Sequence, residues 1–360
     1  MIDLREQLNT TAPEWRQHLD ELFKKMHFVL GAQVASFERE LAECLGAGRS
    51  VGVGSGTDAL ELCLRSAGVR VGREVLTSAL TSPFTAQAIM AAGLTPRFAD
   101  VLPETLLMDP GDAAQRVNAR TGAIVAVHLY GQPCDLLRLS ALARSRRVAL
   151  RLPLTQYSQW VAYSFYPTKN LGCLGDGGAV VTDSDTTADQ ICLLRDGGRR
   201  KDQVSRVQAA NSRLDEIQAC YLRAFLPHLD EWNARRVRLA KLYDEALAGC
   251  EAVCPVRRSP ESVCHLYVIR AKRRDRLRMH LLQQGITTNV HYSAPLHLHP
   301  AFRTCGDRRG SLPKAEEACR EIVSLPLWPH MPESAVLRVS ERVREFYKRS
   351  YSSIPRSQGM

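Results

Sequence analysis

The sequence predicts an α/β fold, in which a large domain with a mostly parallel β-sheet is followed by a smaller C-terminal α+β domain. Between residues 50 and 183, short β-rich apolar runs alternate with helical stretches, a pattern typical of a parallel sheet covered by helices on both faces. After Arg213 the pattern is helical as far as about Leu247. The chain of 360 residues is too long for one small core and suits one large and one smaller domain.

Two amphipathic helices are expected before the sheet begins. The first covers residues 13–26, where Pro13 suits the opening turn of a helix. Its apolar residues recur at helical spacing and form one stripe of Trp15, Leu19, Leu22, Phe23 and Met26. The second helix ends at Gly46. Its apolar residues are Phe37, Leu41, Cys44 and Leu45.

The strands and the division into domains follow from the same patterns. The segments expected to form strands are residues 50–54, 74–79, 96–101, 123–130, 148–152 and 178–182. Helices are expected between some of them, at residues 58–67 and 135–146. We therefore place the large domain at residues 1–240 and the small domain at residues 241–347. Residues 348–360 are rich in Ser and also contain Pro and Arg, and they are expected to form a disordered tail.

Composition excludes several classes of protein. The hydrophobic fraction of 45% and the charged fraction of 24% are ordinary for a soluble globular protein. No run approaches the roughly 20 apolar residues needed to span a bilayer, so no membrane partner is expected. The N-terminal residues lack the basic and apolar regions of a signal peptide. The expected location is therefore the cytoplasm.

The cysteines and the basic residues are interpreted as structural. The chain has eleven cysteines without a Cys-x-x-Cys pair, and Cys63 and Cys192 lie among apolar residues at helical spacing. We predict buried free thiols, with neither a metal site nor a disulfide framework. The net charge is +10, which attracts anions. The densest basic run, residues 272–278, is typical of a solvated helix face and has no accompanying nucleic-acid motif, so no nucleic-acid partner is expected.

Two turns carry the pattern of a chemical site. The turn at residues 164–172 reads SFYPTKNLG, and a glycine-rich return at residues 175–178 leads into the next apolar strand. A lysine held like Lys169 is positioned to attack a carbonyl and form a Schiff base, although an isolated lysine in a turn is more often a surface residue. The other turn, GSGTDAL at residues 54–60, follows a strand and opens a helix. Backbone N–H groups at such a helix start, with glycines permitting close approach, form an anion cradle.

These segments resemble the DegT/DnrJ/EryC1/StrS family of pyridoxal-phosphate (PLP) sugar aminotransferases, and the likeness extends from about residue 14 to residue 346. The resemblance implies the PLP-dependent transferase fold of the aspartate-aminotransferase type, with Lys169 carrying PLP as a Schiff base. It also implies a homodimer with shared active sites, because an asparagine of the family reaches the phosphate in the neighbouring subunit. The residues that match the family's cofactor contacts are Gly56, Thr57 and Ser164 for the phosphate, Phe84 for stacking on the pyridine ring, Gln156 of the Asp-Ala-Ala-Gln motif, and Asn211.

Other matches keep two interpretations open. On its spacing alone, Phe84 is more typical of a core phenylalanine. His128, at the end of a predicted strand beside the cofactor region, is as typical of a buried core histidine as of a catalytic one. In the predicted small domain, three residues match the part of the family that closes over the sugar nucleotide. These candidates for substrate contact are His291, Tyr292 and His297.

One motif departs from the family. An aspartate near the pyridine nitrogen keeps that nitrogen protonated, so that the ring accepts electrons. Pro153 stands at its place, and proline can neither ionise nor donate a hydrogen bond. The segment at residues 157–160 is also shorter than in the family, and Arg151 lies in a strand that is expected to be buried. Three interpretations follow. The chain is a working aminotransferase in which another residue contacts the pyridine nitrogen, or in which no residue does and the rate is reduced. Alternatively, it is a catalytically silent homologue that acts as a partner or regulator, or the product of a damaged gene.

The leading interpretation is an enzyme. The resemblance implies transamination of a nucleotide-linked keto-deoxy sugar, with an amino acid, expected to be glutamate, as the donor. Such reactions belong to amino-sugar, polysaccharide or antibiotic-sugar biosynthesis. Related dehydratases have histidine in place of the cofactor lysine, so the presence of Lys169 favours transamination. A silent scaffold also has little reason to keep this lysine together with the residues that match the phosphate contacts.

Overall fold

The computed structural model of the protein describes residues 3–146, 149–151, 160–200, 202–250 and 252–352. Its first elements are the helices α1 (Arg5–Thr10), α2 (Ala12–Lys25) and α3 (Ala32–Cys44). The two amphipathic helices predicted for this region are confirmed as α2 and α3. In the predicted stripe of α2, however, Leu22 is the only fully buried member, and Phe23 and Met26 are 52% and 67% exposed. The C-terminal part of the stripe therefore faces away from the core of this chain.

Strands and helices then alternate along the chain. In order they are β1 (Arg49–Val53), α4 (Gly56–Ser66), β2 (Glu74–Ser78), α5 (Pro83–Ala91), β3 (Thr95–Ala99), α6 (Pro110–Arg116), β4 (Thr121–Val125), α7 (Leu136–Ser145), β5 (Ala149–Arg151), β6 (Val161–Ser164), β7 (Gly178–Thr182) and α8 (Asp185–Arg195). These elements confirm most of the predicted strands and both predicted helices. The strand predicted at residues 123–130 ends early, at Val125, and Tyr130 adopts a positive φ of 62° in a short 3-10 turn that a strand does not accommodate.

The strands form two sheets. In the first, the order β3-β2-β4-β5 is parallel throughout, as the alternation of strands and helices predicts. In the second, β7 lies between β1 and β6 and is antiparallel to both. The connection from β6 to β7 is the Lys169 turn rather than a crossover helix, and such a direct return joins antiparallel neighbours. The mostly parallel sheet of the prediction is thus accompanied by an antiparallel one.

The second half of the chain is helical before it returns to a small sheet. Its elements are α9 (Glu216–Phe225), α10 (Leu229–Leu247), β8 (Val253–Pro255), β9 (Tyr267–Ala271), α11 (Arg274–Gln283), α12 (Pro313–Glu321), β10 (Ile322–Leu325) and α13 (Glu333–Ser352). The strands form an antiparallel sheet in the order β10-β9-β8, which shares one core with Leu239 of α10 and Leu277 of α11. A second core contains Phe98 of β3 and Phe302, whose ring centroids lie 6.2 Å apart. The two halves are therefore packed together, and the domain boundary near residue 240 stays a prediction.

The end of the chain is more helical than the sequence predicts. Helix α13 continues to Ser352, so the first five residues of the segment expected to be a disordered tail, 348–352, are helical. Residues 353–360 lie outside the described residues. In the described part of the chain, no helix is long and apolar enough to cross a membrane.

The thiols and the basic run are largely as expected. Seven of the eleven cysteines are buried, Cys63 among them, and Cys192 is partly buried. In the basic run, Arg274 differs from the prediction of a solvated face, because it is buried. Its guanidinium donates hydrogen bonds to the carbonyls of Cys319 and Ile322 at 3.3 and 2.7 Å. This arginine therefore ties α11 to the end of α12 and the start of β10.

Candidate active site

Three strands lead directly into residues that the sequence predicts for the site. Strand β1 precedes the start of α4, which carries Gly56 and Thr57, and β2 precedes the start of α5, which carries Phe84. Strand β6 ends at Ser164, and Lys169 follows in the turn. Ligands of open α/β sheets bind beyond the carboxyl ends of strands, which is where these residues lie.

The turn that carries Lys169 is compact. The Lys169 N–H donates to the Tyr166 carbonyl at 2.8 Å, which closes a tight turn around the lysine. A side chain at Gly172 is excluded, since its Cβ would lie 2.5 Å from the Pro167 carbonyl oxygen. Glycine is thus required where the turn folds back on itself, and the lysine projects from a defined backbone.

The start of α4 lies against the end of β6. Ser55 caps the helix, because its Oγ accepts a hydrogen bond from the Asp58 N–H at 3.1 Å. The other N–H groups of the first turn have no partner within the helix and lie at the positive end of its dipole. At Gly56, a Cβ would lie 2.5 Å from the Cβ of Ser164, so only glycine allows this approach. The structure thus brings Gly56, Thr57 and Ser164 together, and their role in binding a phosphate stays a prediction.

Asn211 is connected to the same helix start through its neighbour Ser212. The Ser212 Oγ accepts a hydrogen bond from the Gly54 N–H at 3.0 Å and donates one to Oδ2 of Asp58 at 2.7 Å. Asn211 itself forms an isolated β-bridge with Asp196. Sequence reasoning identifies neither Ser212 nor Asp58 as a site residue, although both lie in segments that carry the family resemblance. The hydrogen bonds of Ser212 join the Asn211 segment to the start of α4 within one chain. A contact of Asn211 with a neighbouring subunit stays a prediction.

Phe84 is not a core residue. It lies in the first turn of α5, where the Ser82 Oγ accepts a hydrogen bond from its N–H at 3.4 Å, and it is 59% exposed. The core interpretation is therefore wrong, and the exposed ring is available to pack against a flat ligand. The hydroxyl of Tyr292 hydrogen-bonds with Ser82. One of the candidates for substrate contact thus lies next to Phe84.

Lys169 is half-buried in a setting that favours its neutral form. Burial lowers the pKa of its ammonium group, because the charged form loses hydration. The charge of Lys169 in turn lowers the pKa of both His265 and His291, after the larger effect of their own burial. Among the described residues, no carboxylate contributes a charge that would raise the pKa of Lys169. The neutral amine is the form that attacks a carbonyl.

His291 and His297 differ in their surroundings. Nδ1 of His291 lies 2.8 Å from the Ser324 hydroxyl, and its imidazole is near Lys169, which is consistent with a place in the site. His297 is 2% exposed, and its Nε2 lies 3.0 Å from Oε1 of Glu316. A histidine buried against a carboxylate in this way cannot reach a ligand. The expectation that His297 contacts substrate is therefore wrong.

His128 has the surroundings of a structural histidine. Its Nδ1 accepts a hydrogen bond from the Cys134 N–H at 3.0 Å. Burial lowers the pKa of His128 to about 4, so the imidazole is neutral under physiological conditions. Because a backbone N–H orients it and no charged group among the described residues contributes to its pKa, the buried core histidine is the better of the two interpretations.

The described residues fit PLP. This cofactor carries a reactive aldehyde, a phosphate and a flat aromatic ring. Lys169 offers an amine of lowered pKa, Ser164 and the start of α4 offer hydrogen-bond donors, and Phe84 offers an exposed ring. Gln156 and Pro153, which belong to the motif expected beside the pyridine ring, lie outside the described residues.

Comparison with known sequences supports the resemblance. A family model, described as the DegT/DnrJ/EryC1/StrS aminotransferase family, matches residues 9–151 and 153–344. The chain is similar to a pleiotropic regulatory protein of Geobacillus stearothermophilus, with 38% identity over 97% of this chain and 98% of the relative. It is also similar to a dTDP-3-amino-3,4,6-trideoxy-alpha-D-glucose transaminase of Streptomyces venezuelae, with 37% identity over 97% of this chain and 96% of the relative.

Comparison with solved structures gives the same result. The crystal structure of S. venezuelae DesV in complex with a ketimine intermediate has a TM-score of 0.92 to this structure. The two chains are 37% identical, and the match covers 96% of this chain and 97% of the other. The predicted fold class is confirmed by this match. The residues matched by the family model include every described residue of the candidate site.

Proposed function

The chain belongs to the DegT/DnrJ/EryC1/StrS aminotransferase family, and from this premise we propose that it transfers an amino group to a nucleotide-linked keto-deoxy sugar. The observation that carries the proposal is the contact between Gly56 and Ser164, which puts the anion cradle of α4 at the base of the Lys169 turn. An amine beside a phosphate-binding surface is what covalent attachment of PLP requires.

PLP is the cofactor of this reaction, and when bound it supplies a carbonyl that reacts with amines and a ring that accepts electrons. The backbone N–H groups of Gly56 and Thr57, together with the Ser164 hydroxyl, would bind the phosphate. Phe84 would pack on the ring and exclude water from one of its faces. Lys169 would attach the cofactor through its amine. With the cofactor bound, the released amine of Lys169 would take the Cα proton of the amino acid as a general base and return it to a neighbouring carbon as a general acid. The lowered pKa of Lys169 favours the unprotonated amine that a base requires.

The substrates that we propose are an amino-acid donor, expected to be glutamate, and a nucleotide-linked keto sugar as acceptor. Both are anionic, and the net charge of +10 favours anionic ligands. His291 and Tyr292 share the surroundings of Lys169 and Phe84, so we assign them to contacts with the sugar. The S. venezuelae transaminase is named for a dTDP-linked amino sugar, which supports the nucleotide-sugar class for this chain.

We place the reaction in the cytoplasm. All eleven cysteines are free thiols. Free thiols persist in compartments whose environment is kept reducing by thioredoxin and glutathione. The soluble nucleotide sugars of biosynthesis are expected in the same compartment.

The active unit that we propose is a homodimer. Large apolar side chains are exposed on α2 and the segment after it, on the Lys169 turn and its return, and at the start of α9, namely Phe23, Met26, Phe28, Val29, Tyr166, Leu174 and Ile217. Their segments are connected, because Val29 forms a bridge with Asp215 just before α9, and the Leu174 N–H donates to Oε1 of Gln218 at 2.8 Å. An exposed apolar surface of this kind marks an interface with another protein. A second copy of the chain on this surface would allow Asn211 to contact the phosphate bound in the partner subunit, as the family resemblance implies.

The proposal is tested with PLP itself. After incubation with PLP, reduction with borohydride and proteolysis, the purified chain should give a stable adduct on Lys169. Lys169→Ala should lose the adduct and the visible absorbance of the linkage, while its fold and its oligomeric state are retained. Lys272→Ala, which changes an exposed lysine, is the matched control and should keep both signals. An adduct on another lysine, or none in a folded chain, contradicts the proposal.

A further inference from the structure

The part of the turn that follows Lys169 has little backbone support. The Lys169 N–H donates to the Tyr166 carbonyl at 2.8 Å, and the Cys173 N–H donates to the Phe165 carbonyl at 2.8 Å. At residues 170–172, which lie between these two donors, no backbone N–H group donates to another backbone group of the described residues. A segment without such hydrogen bonds has low local stability. The direction of the neighbouring lysine therefore depends on the side chains that hold this segment.

The side-chain amide of Asn170 holds it. The Nδ2 group of Asn170 donates to Oδ1 of Asn233, on α10, at 2.7 Å and to the Val263 carbonyl at 3.1 Å. The Oδ1 atom of Asn170 lies 3.1 Å from Nδ1 of His265. Because the Val263 carbonyl can only accept, the amide oxygen faces the imidazole, and Nδ1 of His265 is the donor. Both N–H groups and the oxygen of this amide are thus engaged.

The partners of Asn170 are themselves held in the fold. Asn233 is part of the long helix α10. The Val263 N–H donates to the Gly131 carbonyl at 3.0 Å, and a Cβ at Gly131 would lie 2.8 Å from the backbone nitrogen of His265, so these two segments pack closely. Asn170 therefore ties the turn to parts of the fold that are distant from it in the sequence.

We propose that Asn170 is a positioning residue for Lys169, which holds the neighbouring backbone against α10 and the segment before β9 so that the amine is directed at the carbonyl it attacks. The inference rests on the proposed function of Lys169. Orientation of a reacting group contributes orders of magnitude to a rate. Burial holds the pKa of His265 well below its usual value, so all three partners of Asn170 are uncharged. The contact thus orients the lysine without adding a charge that would protonate its amine.

The reaction of the full-length, cofactor-free chain with added PLP separates orientation from binding. As the PLP concentration rises, the rate at which the visible linkage forms approaches a limit set by the attack of the amine. The concentration that gives half of this limit reports the binding that precedes attack. In Asn170→Ala the limiting rate should fall about 10- to 100-fold, since a small misplacement of a reacting group costs up to about 100-fold. The half-saturating concentration should stay within about threefold of the parent, because other residues are proposed for the phosphate and the ring.

Two substitutions of a partner residue form a matched pair. Asn233→Asp keeps an oxygen that accepts from Asn170, whereas Asn233→Leu, of nearly the same size, removes it. Rates are compared at a pH above which they no longer rise, so that the amine is neutral in every variant. The limiting rate should stay within about threefold of the parent in Asn233→Asp and fall about tenfold in Asn233→Leu. Asn9→Ala, at an exposed position of α1, is the control and should match the parent in both quantities.

Three results overturn the inference. They are a parental limiting rate in Asn170→Ala, a half-saturating concentration that rises as much as the limiting rate falls, and an equal limiting rate in Asn233→Asp and Asn233→Leu. The Asn233 pair decides where Asn170→Ala fails to fold. A parent chain that forms no linkage on Lys169 overturns the proposed function as well, whereas linkage on Lys169 at the same rate in every variant overturns only the role of Asn170.

Discussion

At the scale of single residues, Lys169 shows a functional group that acts against stability. Burial lowers its pKa from the ordinary value of 10.5, so the unfolded chain binds this proton more tightly than the folded chain does. The free energy of unfolding therefore rises with pH between the folded pKa and 10.5. Below the folded pKa the destabilisation is present in full, because a charged ammonium group is then held where its hydration is incomplete.

The first prediction follows from this sign. Lys169→Met should raise the melting temperature of the PLP-free chain at neutral pH, since the substitution removes the charge and keeps an apolar stem. The gain should shrink as the pH approaches 10.5, because the lysine of the parent chain loses its charge there. Thermal unfolding of both chains across this range measures the difference. Lys272→Met, at an exposed position, should show no such trend, and a gain for Lys169→Met that grows with pH contradicts the lowered pKa.

At the scale of elements, α3 receives its cap from α9. The residue before the helix is Gly31, which has no side chain to cap it. Instead, the N–H groups of Gly31, Gln33 and Val34 donate to the carboxylate of Glu216 at 2.7, 2.9 and 3.1 Å. Glu216 is only 1% exposed, and a buried carboxylate is tolerated when donors and a helix dipole satisfy it. The contact fixes the N-terminal helices on α9, beside the exposed apolar side chains that we assign to the dimer.

Removal of this charge should be costly. Glu216→Gln is expected to lower the free energy of unfolding by about 2–3 kcal/mol, because hydrogen bonds to a charged group are worth about 1.5–3 kcal/mol and the new amide N–H faces backbone N–H groups. Urea unfolding measures the change. Glu341→Gln, at an exposed position within α13, should stay within about 0.5 kcal/mol of the parent. If both substitutions have the same small effect, the three backbone donors are satisfied without Glu216.

The same elements show which parts of the fold the sequence can predict. Helix α2 and strand β7 lie where expected, because the 3.6-residue period of the helix and the short apolar run of the strand are local patterns. The cap of α3 leaves no local pattern, since Gly31 and Glu216 are 185 residues apart in the sequence. The hydrogen bond between His265 and Asn170, the residue after Lys169, is hidden for the same reason, because the two residues are 95 apart in the sequence.

The candidate site divides in a similar way. The motifs that contain Lys169, Gly56 and Ser164 can be recognised in the sequence, because glycines and a turn determine the local backbone of each. The roles of the three residues stay predictions. Phe84 is misinterpreted on spacing alone, since apolar spacing does not distinguish a ring that faces the core from one reserved for a ligand. His297 is misassigned because its carboxylate partner, Glu316, belongs to a helix that packs on it only after folding.

At the scale of the whole molecule, we propose that the site combines residues from two chains. Ser212 holds the Asn211 segment on the α4 start of its own chain, whereas the family resemblance assigns the Asn211 amide to the phosphate of the partner. The contact of Ser212 within its chain and that of Asn211 across the interface can both form when the starts of the two α4 helices lie close to a twofold axis. A symmetric interface places the same surface on both copies. The exposed apolar side chains of the Lys169 turn and of α9 lie on the elements that such an interface would cover.

Mixed dimers of two impaired chains test this arrangement. Lys169→Ala lacks the amine and Asn211→Ala lacks the amide. If Asn211 acts across the interface, a dimer with one copy of each has one site with both residues and one site with neither. Coexpressed with different tags and purified through both, the mixed dimer should transfer the amino group of glutamate to PLP at about half the parental rate, since one of two symmetric sites is intact. The visible absorbance of the cofactor measures this rate. If Asn211 acts within its own subunit, each site of the mixed dimer lacks one of the two residues. The rate then stays as low as in the dimers of Lys169→Ala alone or Asn211→Ala alone.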